Sequence, residues 1–294
     1  MIYYFLPDPG IFGGVKVGYQ FAELLNSLGL RAVVASPAGK SPQWFRSSAA
    51  VLDEQEVLRN LFPSDWALFS LQTDYERLKN TPARLAFHCQ GTNPMHAPTF
   101  RDLEVLIMTC WDQATQYVKE HFSRDPVEVG ISVSDCFYFN GDLKHGNTVA
   151  CMTRRGKDII MACEDACPQL HFLKIDNMGE YAVSSIMKKT EIFIATAEKE
   201  WFGLPALEAM ASGCVVLSVP VLGGMDFLRD GENCIIAEAG KMPDRLKWIS
   251  HPKQAELRAK LRHNAVATAY GYRLSFQRKL LKGLLENRLK ELIL

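Results

Sequence analysis

The sequence predicts an α/β protein with two Rossmann-like parallel-sheet domains facing across a cleft. Three observations predict it. Short apolar runs of strand length alternate with helical periodicity through most of the 294 residues, and such alternation implies parallel strands joined by right-handed crossovers. The polar stretch Asn140 to Asn147 divides the chain into two parts of similar size. Nearly half of the residues, 48%, are hydrophobic, which is enough for two modest cores.

In the first part, apolar runs beginning at Ile2, Ala32, Ala67, Leu85, Val105 and Val127 read as strands. In the second, runs beginning at Thr148, His171, Ile192, Cys214 and Cys234 read the same way. Between them, residues 15–28, 113–122, 181–188 and 204–212 carry helical spacing. The last fifty or so residues read as helices, and residues 274–292 bring Leu274, Leu281, Leu284, Leu285 and Leu292 to one face. The other face carries Arg278, Lys279, Lys282 and Lys290. The expected domains are therefore 1–145, 146–273 and a closing helix, 274–294.

Formal charge is balanced, 33 basic against 33 acidic residues, so no global field favours nucleic acid as a partner. No stretch has the length of a membrane span, and the opening Met-Ile-Tyr-Tyr-Phe-Leu-Pro-Asp lacks the basic region of a signal peptide. A cytoplasmic location is the expectation. Cys163 and Cys167 share a helical face with His171 nearby. Three groups are too few for a structural zinc site, so the eight scattered cysteines read as reduced, buried thiols.

Ligands of open α/β sheets bind beyond the carboxyl ends of the strands, and five segments in such positions carry candidate chemistry. Gly13-Gly14-Val15-Lys16 precedes a helix whose leading amides favour an anion. His88 ends the run Phe87-His88-Cys89-Gln90-Gly91, with His96 a weaker candidate beyond it. Thr153-Arg154-Arg155-Gly156-Lys157 gathers fixed positive charge, as a departing diphosphate requires. Residues 198–213 place Glu200 and Glu208 on either side of Phe202-Gly203-Leu204-Pro205. Pro205 suits a first helical turn, where its missing N–H costs nothing. Gly223-Gly224 and Asp226 to Asn233 form the fifth segment.

The segment 198–213 resembles the donor-site signature of the family-four retaining glycosyltransferases, which have the GT-B fold. The resemblance extends in pattern over most of the chain, while its specific motifs cover 151–236. It implies that Glu200 and the Phe202, Gly203 and Leu204 backbone hold sugar hydroxyls, and that Glu208 holds the ribose diol. It gives Gly13 and Gly14 contact with the donor phosphates and His88 contact with the donor sugar. One of Arg154 and Arg155, with Lys157, neutralises the leaving diphosphate. The family spaces its Arg and Lys further apart, has glycine where Trp201 stands, and carries Glu where Asp226 stands. The chain is also short by about one strand–helix unit between Lys157 and Glu200. The implied activity is transfer of a sugar from a nucleotide-diphosphate sugar to a hydroxyl acceptor in polysaccharide or glycoconjugate synthesis. Glu200, His88, Arg154 and Lys157 are the implied catalytic residues. No cofactor or metal is expected, and there is no Asp-x-Asp triplet. The expected partners are the nucleotide sugar and a glycan or lipid-linked acceptor, with peripheral membrane contact through the closing helix. A non-catalytic nucleotide-sugar-binding protein of the same fold, or a sugar epimerase, is the alternative.

Overall fold

The computed structural model describes residues 1–290. Contacts divide the chain into two units. The first comprises Met1–Ser132 and the segment from Leu274 onward, and the second Val133–Arg273.

In chain order the first unit contains β1 (Ile2–Phe5), α1 (Gly13–Ser27), β2 (Ala32–Ser36), β3 (Val51–Asp53), α2 (Glu54–Arg59), β4 (Trp66–Phe69), α3 (Gln72–Leu78), β5 (Arg84–Cys89), α4 (Ala97–Arg101), β6 (Val105–Thr109), α5 (Asp112–Phe122) and β7 (Val127–Glu128). Its sheet runs β3-β2-β1-β4-β5-β6-β7, with every pairing parallel. The two central strands β4 and β5 are buried almost end to end, as expected of a parallel sheet covered on both faces. Their composition follows from this: Trp-Ala-Leu-Phe and Leu-Ala-Phe-His-Cys read as continuous apolar runs rather than alternating ones.

The second unit contains β8 (His145–Met152), α6 (Lys157–Ala166), β9 (His171–Ile175), α7 (Glu180–Lys189), β10 (Thr190–Ala195), α8 (Leu204–Ala211), β11 (Val215–Ser218), β12 (Ile235–Ile236), α9 (Met242–Ser250) and α10 (Ala255–Tyr270). Its sheet runs β12-β11-β10-β8-β9, again wholly parallel. Its core joins Val149, Ile192, Ile194, Val215 and Leu217 of the strands to Ile160 of α6 and Leu246 of α9. Cys163 and Cys167 lie in that core as buried free thiols. Among the described residues, no group of three or more His, Cys, Asp and Glu side chains could hold a metal ion.

The division differs from the sequence reading. The polar stretch 140–147 lies inside the second unit, and the chain passes between units at Ser132–Val133. Residues 137–139 explain why. Phe137 and Tyr138 are buried, the Phe139 amide donates to the Ala211 carbonyl at 2.8 Å, and the Tyr138 hydroxyl donates to the Ala269 carbonyl at 2.9 Å. Lys144 Nζ caps the carbonyls of Met187 and Ser212 at 2.9 and 2.6 Å. The polarity of 140–147 therefore marks a surface turn leading into β8, not a linker.

The helix α11 (Leu274–Asn287) groups with the first unit. Leu281 and Leu285 are buried in that unit's core, with Leu274 and Leu284 against it. Gln277 donates to the carbonyl of Gly130 at 2.8 Å, and Arg278 donates to the Ser27 hydroxyl and carbonyl at 3.0 and 2.9 Å. Leu292 of the expected leucine face lies outside the described residues. The outward face is less polar than the sequence suggests: Phe276 and Leu280 are exposed beside Lys279 and Lys282. No helix among the described residues is long and apolar enough to cross a membrane.

Candidate functional site

In the second unit, the loops after β8 and β10 meet at the carboxyl end of their sheet. The first carries Arg154, Arg155 and Gly156 and leads directly into α6 at Lys157. Gly156 is left-handed, φ +69°, and abuts Thr196, just past β10. A Cβ at Gly156 would overlap the Thr196 Cβ and stand 2.7 Å from the Thr196 carbonyl oxygen, so only glycine fits. The Thr196 hydroxyl in turn donates to the Arg155 carbonyl at 2.7 Å. Thr196 was not singled out in the sequence; its position immediately after a strand of the same sheet is the signal that points to it.

Arg155 Nη1 donates to Glu200 Oε2 at 2.7 Å. Sequence left Arg154 and Arg155 interchangeable. Tertiary structure separates them, because Arg155 faces the first glutamate of the signature. With side-chain exposures of 59% and 29%, this ion pair is well solvated. Such pairs contribute roughly 0–1 kcal/mol, so ligand groups can replace either partner cheaply. Arg154 and Lys157 are both exposed.

The signature segment forms the entry to α8. Gly203 is the left-handed N-cap residue, φ 87°, and Pro205 occupies the first turn. The amides of Ala206 and Leu207 both return to the Gly203 carbonyl, and proline has no N–H, so the leading amides are those of Gly203 and Leu204. The side chains of Phe202 and Leu204 are buried, Phe202 against Phe227 and Tyr272 with ring centroids 5.2 and 6.0 Å away. Their side chains are therefore packed inside the unit. Glu208, one turn along, is 7% exposed.

The fifth segment clasps this entry. Leu222 N–H donates to the Glu200 carbonyl at 3.1 Å, and Gly224 packs so closely on the Phe202 carbonyl that a Cβ could not be accommodated. Asn233 is structural: its side chain accepts from Arg229 N–H and donates to the Phe227 carbonyl. Asp226 sits exposed in a short turn.

In the first unit, Gly13 and Gly14 begin α1. Here the structure corrects one expectation. His88 does not face a ligand: it is 0% exposed, 2.7 Å from the Tyr4 hydroxyl through Nδ1 and 3.1 Å from Cys110 Sγ through Nε2. Phe21 of α1 covers its ring at 4.4 Å. The side chain projects from a central strand onto the face that α1 seals, so it cannot touch a sugar. Burial lowers its pKa to about 3 and keeps the ring neutral. His96 packs on Phe87 at 5.0 Å, and burial lowers its pKa to about 4.

Residues 168–268 match the family model described as Glycosyl transferases group 1. Over 48 residues the chain is 44% identical to an alpha-1,6-glucosyltransferase of Actinobacillus pleuropneumoniae serotype 7 (strain AP76). That stretch is 16% of this chain and only 14% of the relative. Among solved structures, sucrose-phosphate synthase from Thermosynechococcus elongatus superposes with a TM-score of 0.76 at 11% identity, covering 98% of each chain. HepE of Anabaena, in complex with UDP and glucose, gives 0.69 at 12% identity, covering 97% of this chain and 99% of its own. The pneumococcal O-GlcNAc transferase GtfA, in complex with UDP and GlcNAc, gives 0.63 at 17% identity, covering 79% of this chain and 58% of its own. At these identities the structural likeness establishes the fold. The chain thus has the GT-B glycosyltransferase fold, and its residues 168–268 match the model of the glycosyl transferases group 1 family.

Proposed function

We propose that this chain is a retaining, metal-independent hexosyltransferase that moves a sugar from a nucleotide-diphosphate sugar to a hydroxyl acceptor. The observation that carries the reading is the joining of the cationic loop to the signature entry, through Gly156 on Thr196 and Arg155 on Glu200. Positive charge and uncovered helix amides are thereby held at one end of one sheet. In the reaction, the bond from the anomeric carbon to the diphosphate oxygen breaks and the acceptor oxygen bonds to the same face. The acceptor proton passes to the departing phosphate oxygen. Arg154 and Lys157 stabilise the charge that grows on the diphosphate. Glu200 and the Phe202–Leu204 backbone hold sugar hydroxyls, Glu208 holds the ribose diol, and Gly13 and Gly14 assist at the phosphates. Seven of the eight cysteines are buried free thiols, which fits a reducing, cytoplasmic setting.

The test is incubation with UDP-, GDP- and ADP-sugars and simple glycoside acceptors in EDTA, scored for free nucleotide and for the anomeric configuration of the product. Release from one donor class with retained configuration is expected. Glu208→Ala should weaken nucleotide binding by about 1.5–3 kcal/mol, the worth of charge-assisted hydrogen bonds. Nucleotide binding without turnover would favour the non-catalytic reading, and strict dependence on magnesium or manganese would overturn the metal-free one.

Exposed Phe276 and Leu280 beside Lys279 and Lys282 on α11 favour peripheral contact with an anionic membrane. Each basic residue near such a surface is worth about 1 kcal/mol. Binding to phosphatidylserine vesicles at low salt should be lost when Lys279 and Lys282 are changed to Glu; equal binding by both proteins would dismiss the contact.

A further inference from the structure

The start of α1 lacks the usual local device for fixing a helix N-terminus. Its N-cap residue is Phe12, which makes no side-chain cap hydrogen bond, and its first turn contains no acidic residue. No side-chain cap therefore fixes the backbone at Gly13 and Gly14.

Gln90, just beyond β5, supplies a tether. Its Nε2 lies 3.3 Å from the Gly14 carbonyl and 3.1 Å from the Tyr4 hydroxyl. An amide nitrogen only donates, so the Tyr4 oxygen accepts from Gln90; the same hydroxyl lies 2.7 Å from His88 Nδ1 and is hydrogen-bonded with the Ser70 side chain. On its other side His88 Nε2 lies 3.1 Å from Cys110 Sγ. These contacts form a chain that runs inward from Gln90. Its inner end is fixed, because Tyr4 and His88 are both 0% exposed and lie on β1 and β5 beneath Phe21. Its outer end is half-buried, at Gln90 and Gly14. The approach there is close: a Cβ at Gly14 would stand 2.6 Å from Gln90 Oε1. Burial keeps His88 neutral at ordinary pH.

We propose that Gln90 is a positioning residue for the Gly13–Gly14 loop, coupling it through Tyr4 to the core histidine His88. The inference rests on the role given to that loop in donor binding. His88 then acts on the reaction through two other residues and touches no substrate.

Two variants of the full chain test it. Gln90→Met keeps the length of the side chain and removes the amide, while Tyr4→Phe removes the hydroxyl link. Amide hydrogen exchange at residues 13–16, without ligand, should be about three- to tenfold faster in both, the effect of losing one hydrogen bond. Exchange in β2 and β6 should be unchanged. With a donor sugar that the wild type turns over, KM for that donor should rise by a similar factor while kcat changes less. Unchanged exchange at 13–16 in folded Gln90→Met overturns the tether. Faster exchange with an unchanged KM overturns its part in donor binding. A wild-type chain that turns over none of the donor sugars defeats the glycosyl-transfer reading, and the exchange measurement still decides the tether.

Discussion

Lys157→Ala should lower kcat by about 10²–10³-fold, the usual cost of removing one preorganised group that meets charge developing in a transition state. Lys157 is the first residue of α6 and is exposed, directly after the Gly156 turn that abuts Thr196. It sits beside the leading amides of α6, where the helix dipole already favours negative charge. The ground-state donor carries its diphosphate charge partly shared with the sugar bond, and the transition state carries more of it on the leaving oxygen. The loss should therefore fall on kcat more than on donor KM. Exposed substitutions away from buried features usually change stability by less than about 0.5 kcal/mol, so the melting temperature should hardly move. Steady-state kinetics with calorimetry on the same protein measures both, and an undiminished kcat would exclude Lys157 from the reaction.

Gly156→Ala should be among the most damaging single substitutions in the second unit that add only a methyl group. Two costs coincide. At φ +69° an L-residue is strained, by about 1–2 kcal/mol. The new Cβ also overlaps the Thr196 side chain and presses on its carbonyl oxygen at 2.7 Å, which is backbone and cannot rotate away. Together they should remove about 3 kcal/mol and lower the melting temperature of that unit by roughly 6–12 °C. Gly231→Ala isolates the first cost, since its φ is +71° but nothing lies within 4 Å of its Cβ. Calorimetry of the two variants should show a clear difference. Equal losses would mean that the Thr196 contact relaxes freely and does not pin the cationic loop.

Much of the candidate site was legible in the sequence because it depends on local rules. Pro205 can enter a helix only in its first turn, and Gly203 before it supplies the left-handed cap. Those two residues, between two glutamates and after an apolar strand, place the α8 entry without knowledge of anything distant. The alternation of runs likewise predicted two parallel sheets, including the two-residue strands β7 and β12 from the runs at Val127 and Cys234, whereas β3, three residues long, was not read. Runs at β5 and β10 began one or two residues earlier than expected, at Arg84 and Thr190, because backbone pairing extends past the last apolar side chain.

Sequence by itself thus determined what depends on neighbours in the chain: the α/β class, the strand–helix junctions, and the entry to α8. Tertiary structure decided what depends on distant partners. Whether His88 meets solvent turns on α1, which lays Phe21 over it from 67 residues away in the chain (88 − 21). Whether Arg154 or Arg155 pairs with Glu200 turns on the meeting of two loops 45 residues apart. Whether 140–147 is a linker turns on what Phe137, Tyr138 and Lys144 touch. The physical reason is common to all three. Local conformational preferences act through covalent neighbours and repeat along the chain, whereas burial and charge pairing are set by residues that only folding brings together.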